Sequence, residues 1–246
     1  MKQKRDWDDL GEMDAFWAVL SDPKLRYGKW DINEFFSTGE RVIEKIMRSA
    51  ERLGYPSGRD LALDFGCGVG RLTRPLSRHF QRCYGIDISE RMIDKAREIN
   101  QSVPNCEFTV NTENDLRVFP DDHFDMICSF RVLQHVPGRR VIRSYISEFV
   151  RTLEKNGLLV FQLPCHIPRR RRIQPRRRAY GLLRALGFSK RFLHERLRLS
   201  PIRMSFISED KITAFLDTLG AQVLETQPDL DASPVIRSTV YYATKS

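Results

Sequence analysis

Three glycines at alternate positions, Gly66, Gly68 and Gly70, follow an acid, Asp64, in the stretch Leu61-Ala-Leu-Asp-Phe-Gly-Cys-Gly-Val-Gly-Arg-Leu72. Glycine has no Cβ and takes positive φ readily, so such a turn lets the backbone pass very close to a ligand. A second acid, Asp87, ends Arg82-Cys-Tyr-Gly-Ile-Asp, 17 residues past Gly70. A carboxylate in that place accepts hydrogen bonds from ribose hydroxyls. The dinucleotide fingerprint is G-x-G-x-x-G, with the pyrophosphate on a helix N-terminus. Here the spacing is G-x-G-x-G, and Arg71 stands where the third dinucleotide glycine belongs. Asp64 would repel a pyrophosphate but suits a ligand with an ammonium group and a sulfonium nearby.

These residues need a scaffold that brings strand ends together, and the hydrophobic pattern supplies one. Short apolar runs at Leu61–Phe65, Arg82–Asp87, Glu107–Val110, Phe124–Phe130 and Gly157–Leu163 alternate with helical periodicity. Helices are expected over about Val69–Phe80, after the capping Ser89, and over Arg139–Leu153. Pro75 is tolerable in the first of these only near its first turn, where its missing N–H has no partner to lose. Strands separated by helices predict an α/β fold, a doubly wound and mostly parallel sheet. Such sheets bind ligands at the carboxyl ends of their strands. Asp64–Gly70, Asp87, Asn111–Asp115 and Ser129–His135 are therefore expected along one crevice.

The order of these motifs resembles the class I S-adenosylmethionine-dependent methyltransferases. Asp64-Phe-Gly-Cys-Gly-Val-Gly is similar to that family's first motif, and Tyr84-Gly-Ile-Asp-Ile-Ser to its second. Asn111-Thr-Glu-Asn-Asp-Leu116 with Phe119-Pro-Asp-Asp-His-Phe-Asp125, Phe130-Arg-Val-Leu-Gln-His-Val136 and Leu153-Glu-Lys-Asn-Gly-Leu-Leu-Val160 follow in the family's order. The resemblance covers residues 55–163 well and 207–246 loosely. It implies a Rossmann-like seven-stranded sheet with the last strand antiparallel, and S-adenosyl-L-methionine as cofactor. It also implies cofactor contacts from Asp64, Gly66, Cys67, Gly68, Gly70, Asp87, Ile88, Met92 and Phe130. Thr112 is implied at the cofactor too, but many family members carry an acid in its place, so recognition of the adenine amino group passes to Glu113, Asn114 or Asp115. Methyl transfer to a hydroxyl is helped by a general base. His135 is the candidate, against a reading in which it packs at a helix start and hydrogen-bonds locally. Arg71 and Gln134 flank the expected mouth as substrate-binding candidates; Arg71 suits an anionic acceptor, or is a solvated arginine at a helix start.

The net charge of +9 is unevenly placed. Between Cys165 and Phe206 lie twelve arginines, one lysine and one glutamate, a local charge of +12 against −3 for the remainder. Three readings of this segment compete. It is a substrate cap over the site, an attachment to an anionic membrane surface, or a site for RNA or another polyanion through Arg169–Arg178. The domain organisation expected is a helical N-terminal extension or lid over 1–56 and a methyltransferase domain over 57–246, with 165–206 as a basic cap insertion. Tyr27 and Trp30, between two amphipathic N-terminal stretches, are expected over the ligand site as part of the lid. The first of those stretches is expected to stop at Asp22-Pro23.

Five cysteines (67, 83, 106, 128 and 165) show no metal-ligand spacing and suit a reducing compartment. No metal is expected. No apolar run approaches the roughly 18–20 residues of a membrane span, and no secretory signal is evident, so a cytoplasmic location is expected, peripheral to a membrane if the basic segment attaches there. The function expected is methyl transfer to a small or carrier-bound metabolite, with a glycan or a lipid-linked molecule among the candidates. The alternative is a non-catalytic methyltransferase-like protein that binds RNA or anionic membrane through the arginine segment.

Overall fold

The computed structural model describes residues 2–22, 24–229 and 235–245. Pro23 lies outside the described residues. Among them, seven strands form one sheet: β1 (Leu61–Phe65), β2 (Arg82–Asp87), β3 (Cys106–Val110), β4 (Phe124–Ser129), β5 (Leu153–His166), β6 (Ala221–Pro228) and β7 (Arg237–Lys245). Their spatial order is β3-β2-β1-β4-β5-β7-β6. Strands β1 to β5 are parallel, and β7 runs antiparallel to both β5 and β6. The central strands are buried on both faces, which is why β1 and β4 are mostly apolar, broken only by Asp64 in β1 and by Asp125 and Ser129 in β4. The strand order reverses between β1 and β4, and that is where a crevice opens in such sheets.

Helices cover both faces. On one face α2 (Ile32–Leu53) and α3 (Thr73–Leu76) cover Ala62, Met126, Leu158 and Val160. On the other, α5 (Arg139–Thr152) and α9 (Glu209–Thr218) pack on Leu63, Ile127, Leu159 and Tyr241. Asp31 caps α2 by accepting from the Asn33 and Glu34 N–H groups at 2.9 Å, and Gly54 ends it in the left-handed region. Between β2 and β3 runs α4 (Glu90–Ile99), capped by Ser89 as its sequence predicts.

Two expected elements differ. The helix after the glycine turn is only α3, four residues long. Pro75 offers no N–H to the Arg71 carbonyl, and that carbonyl instead abuts Gly39 of α2, where a Cβ would overlap it. Strand β5 begins four residues earlier than expected, because Leu153 pairs with Phe124 and Lys155 with Lys245. Its polar start, Glu154-Lys-Asn, hides that extension from a hydrophobic pattern.

The N-terminal helix α1 (Lys2–Val19) is interrupted at Asp14, which is extended (φ −165°, ψ 82°). The buried Asp14 carboxylate accepts from the Trp17 N–H, capping the second segment, and from the Tyr27 and Gly28 N–H groups at 2.6 and 3.1 Å. Leu10, Trp17, Phe35, Val69 and Met92 form one buried cluster that fixes α1 against α2, the glycine turn and α4. The arginine-rich segment folds as three short helices: α6 (Arg169–Arg172), α7 (Pro175–Ala185) and α8 (Lys190–Glu195). Lys190 of α8 reaches α1, with its ammonium 2.8 Å from Asp9 and 2.7 Å from Glu12.

Candidate active site

A cavity of about 790 Å³ opens at the carboxyl ends of β1, β2 and β4. Its strand-end wall contains Asp64, Gly66, Cys67, Gly68, Asp87 and Ile88. Gly66, Gly68 and Gly70 all take positive φ (75°, 55° and 85°). Side chains there would collide: a Cβ on Gly66 would overlap Val132, and one on Gly68 would overlap Val19 at the end of α1. At Gly70 a Cβ would sit 2.9 Å from both Asn100 Nδ2 and Phe108 Cζ, so this third glycine serves packing and does not line the cavity.

Asp87 holds the turn together. One carboxylate oxygen accepts from the Gly68 N–H at 3.0 Å and the other from the Ser89 N–H at 2.9 Å. Burial pushes its pKa up and these backbone donors oppose the shift. Asp64 is buried, and its Oδ2 accepts from the Thr73 hydroxyl at 2.6 Å. Burial raises its pKa to about 6, while Thr73 and the Arg71 guanidinium pull the other way. Arg71 is itself 5 % exposed, with Nη1 donating to Thr38 Oγ1 at 3.3 Å. Burial and the nearby Arg131 lower its pKa to about 10, leaving it charged at neutral pH.

Gln134 and His135 also face the cavity. His135 Nδ1 lies 2.7 Å from the Arg203 carbonyl, so that nitrogen carries the proton, and Nε2 faces the Gln134 amide nitrogen at 3.0 Å. Burial pushes its pKa down to about 4, and the Arg131 charge adds to the shift. A neutral imidazole with both nitrogens engaged is a weak base. It braces the returning end of the cap, where the Ser205 N–H donates to the Gln134 carbonyl at 2.6 Å.

Met92, Asn111 and Phe130 line the cavity as well. Thr112, Glu113 and Asn114 do not; they are exposed, in a turn in which Asn111 Oδ1 accepts the Glu113 N–H at 3.1 Å. Tyr27 and Trp30 are also outside the cavity wall. The Tyr27 hydroxyl donates to the Glu195 carbonyl at 3.0 Å, and Trp30 Nε1 donates to the Leu20 carbonyl at 3.3 Å against Phe35. Their place over the cavity is taken by Gln3, Trp7 and Trp17 of α1, of which only Trp17 falls in the amphipathic pattern that the sequence shows. The remaining wall is basic: the cavity is lined by eight arginines, five of them from the segment 165–206.

The fold and this strand-end site define a class I methyltransferase architecture, and comparison with known proteins agrees. Residues 63–161 match the family described as "Methyltransferase domain". Curated relatives include the probable chloroplastic tocopherol O-methyltransferase of Oryza sativa subsp. japonica, 24% identical over 63% of this chain and 45% of that protein. The 2-methyl-6-phytyl-1,4-hydroquinone methyltransferase of Synechocystis is 31% identical over 40% of this chain and 30% of its own. The chain spans less than half the length of the curated relatives it matches. Among solved structures, the magnesium protoporphyrin IX methyltransferase of Synechocystis with bound SAH covers 98% of both chains, with a TM-score of 0.63 at 20% identity. Residues 63–161 of this chain thus match a methyltransferase domain, and the whole chain shares the fold of the class I S-adenosylmethionine-dependent methyltransferases.

Proposed function

We propose that this protein transfers the methyl group of S-adenosyl-L-methionine to a small or carrier-linked acceptor. The observation that carries the reading is the pairing of a buried carboxylate, Asp64, with a half-buried one, Asp87, across a positive-φ glycine turn on one cavity wall. The residues present fit the cofactor. Asp87 is fixed by backbone donors, and its remaining lone pairs suit ribose hydroxyls. Asp64 offers a buried negative charge for the ammonium of the methionine end, beside the backbone of Gly66 and Gly68. Ile88 and Met92 provide an apolar wall for the adenine, and Phe130 borders it. Asn111 is better placed than Thr112, Glu113 or Asn114 to meet the base edge.

When bound, the cofactor supplies an activated methyl group on sulfur. The protein's part is to orient the acceptor behind that methyl and to exclude water. Residues 1–56 act as the lid through α1, and 165–206 as the cap. Trp7 and Trp17 close one side of the cavity and the arginine helices the other. His135 holds the cap, and no base is assigned.

A second, finer reading concerns the outside of the cap. Leu182 on α7 and Leu186 just after it are 64% and 67% exposed, and Phe188 and Phe192 stack in the open beside Arg184 and Arg191. Apolar side chains among arginines suit peripheral docking on an anionic bilayer. Among the described residues no helix is long and apolar enough to cross a membrane. Sedimentation with phosphatidylglycerol vesicles and with phosphatidylcholine vesicles tests this: pelleting with the former alone supports docking, and pelleting with neither removes it. For the main reading, the protein is incubated with methyl-labelled S-adenosylmethionine and a metabolite extract. Label in a small-molecule product is expected. Absence of cofactor binding in the same preparation overturns the reading.

A further inference from the structure

Eight arginines line the cavity but only two acids do, Asp64 and Asp87, both at the glycine-turn end; Asp6, outside the wall, acts on Arg177. Arg71 follows the turn directly, with Arg131 near it, and the other positive charge is brought in by Arg26 and by the five arginines of the cap. Part of this charge is buried and unsatisfied. Arg71 is 95 % removed from solvent by its 5 % exposure, and its Nε has no hydrogen-bond partner. Arg26 Cζ sits over the Trp17 ring, 4.1 Å from its centroid, with Nε and Nη1 both buried and without hydrogen-bond partners. Buried donors of this kind are costly unless something meets them. Backbone strain points to the same place. Arg131 and Arg198, both in the wall, sit in the left-handed region at φ 61° and 51°. The Arg131 N–H is held there by Gln162 Oε1 at 3.1 Å. Strained positions persist where the surroundings enforce them, and they cluster at ligand sites.

We infer that the acceptor carries an oxyanion, a phosphate or a carboxylate, which the guanidinium groups of Arg26, Arg71 and Arg131 bind from inside and those of Arg171, Arg176 and Arg177 bind from the cap. The inference rests on the methyl-transfer reading for the word acceptor, but not for the anion site itself. Guanidinium is the side chain whose planar fork matches both oxyanions, and it stays charged when desolvated. The arrangement also explains the cap. Its arginines are not all spent on solvent: Gln174, which bonds Met204 through both ends of its amide, anchors α7 so that Arg176 and Arg177 reach the cavity wall.

Calorimetric titration of the full chain with pyrophosphate and with citrate, at physiological salt and with and without S-adenosylhomocysteine, tests the site. Saturable one-to-one binding of at least one probe is expected. Pyrophosphate alone assigns a phosphate-bearing acceptor, and citrate alone a carboxylate. The exposed pair Arg171→Gln with Arg176→Gln should weaken binding about tenfold or more. The pair Arg169→Gln with Arg178→Gln, on the same segment but outside the wall, should change it less than about twofold. Arg71→Gln should weaken it too, with retained thermal melting as the control for folding. Absence of saturable binding for both probes, or equal loss in the two arginine pairs, overturns the inference. Failure to bind S-adenosylhomocysteine while the arginine dependence persists overturns the cofactor reading and leaves the anion site standing.

Discussion

Lowering the pH should weaken cofactor binding through Asp64 in a way that Asp64→Asn abolishes. Asp64 is 2% exposed, and burial raises its pKa to about 6. The proposed ammonium of the cofactor favours the carboxylate, so below pH 6 binding must release a proton. The expected loss of affinity between pH 7 and pH 5 is about tenfold, approaching one decade per pH unit at the acid end. His135, with its pKa pushed down to about 4, stays neutral across this range. Asp87 is also raised, so the informative quantity is the difference between wild type and variant. Asp64→Asn keeps the size and an oxygen for the Thr73 hydroxyl, but loses the charge. Its affinity at pH 7.5 should fall about 10- to 100-fold, and its pH profile should be flatter than that of the wild type.

The same shift has a stability consequence of opposite sign. A carboxyl whose folded pKa lies above its unfolded value contributes stability at low pH that is lost as pH rises through the folded pKa. Without cofactor at pH 7.5, Asp64→Asn should therefore be more stable than wild type, on the order of 2 kcal/mol, with the gap closing towards pH 4. Calorimetric titration with S-adenosylhomocysteine at four pH values, with melting curves alongside, reads both effects. Parallel pH profiles for the two proteins would refute the placement of the ammonium at Asp64.

Gly39→Ala should destabilise the fold by about 1–3 kcal/mol in urea unfolding, because the added methyl overlaps the Arg71 carbonyl, a backbone atom with little room to move. An unchanged midpoint would mean that α2 approaches the turn less closely. Tyr27→Phe and Trp30→Phe should leave cofactor affinity within about twofold, since neither side chain reaches the cavity, whereas Trp7→Ala should weaken it by removing an aromatic wall. A larger effect at Tyr27 than at Trp7 would reverse the assignment of the lid.

The cofactor end of the site was legible because its signals are local. Leu61–Phe65 and the glycine turn are contiguous, and Asp87 ends the next strand, so parallel pairing brings them together. What escaped the sequence depends on packing between distant segments. Tyr27 and Trp7 are both aromatic and N-terminal, yet Trp7 lines the cavity while Tyr27 is held outside it by Asp14 and by the distant Glu195 carbonyl. Thr112–Asn114 were expected at the adenine by analogy of position, but the turn built on Asn111 points them outward. His135 could be read as a base from its place after β4. The Arg203 carbonyl that occupies its Nδ1 lies 68 residues away and has no sequence signal. The arginine run was plain as charge, yet which of its members face inward depends on how α7 is anchored by Gln174.

Calorimetric titration of S-adenosylhomocysteine into wild type and Asp87→Ala is the most direct test of the central claim, that the cavity at the ends of β1 and β2 binds the cofactor. One-to-one binding to wild type is expected. The variant should lose at least about tenfold, from the ribose hydrogen bonds to a charged acceptor and from the loosened Gly68 turn. No heat with wild type, or equal affinity in a folded Asp87→Ala protein, would contradict it.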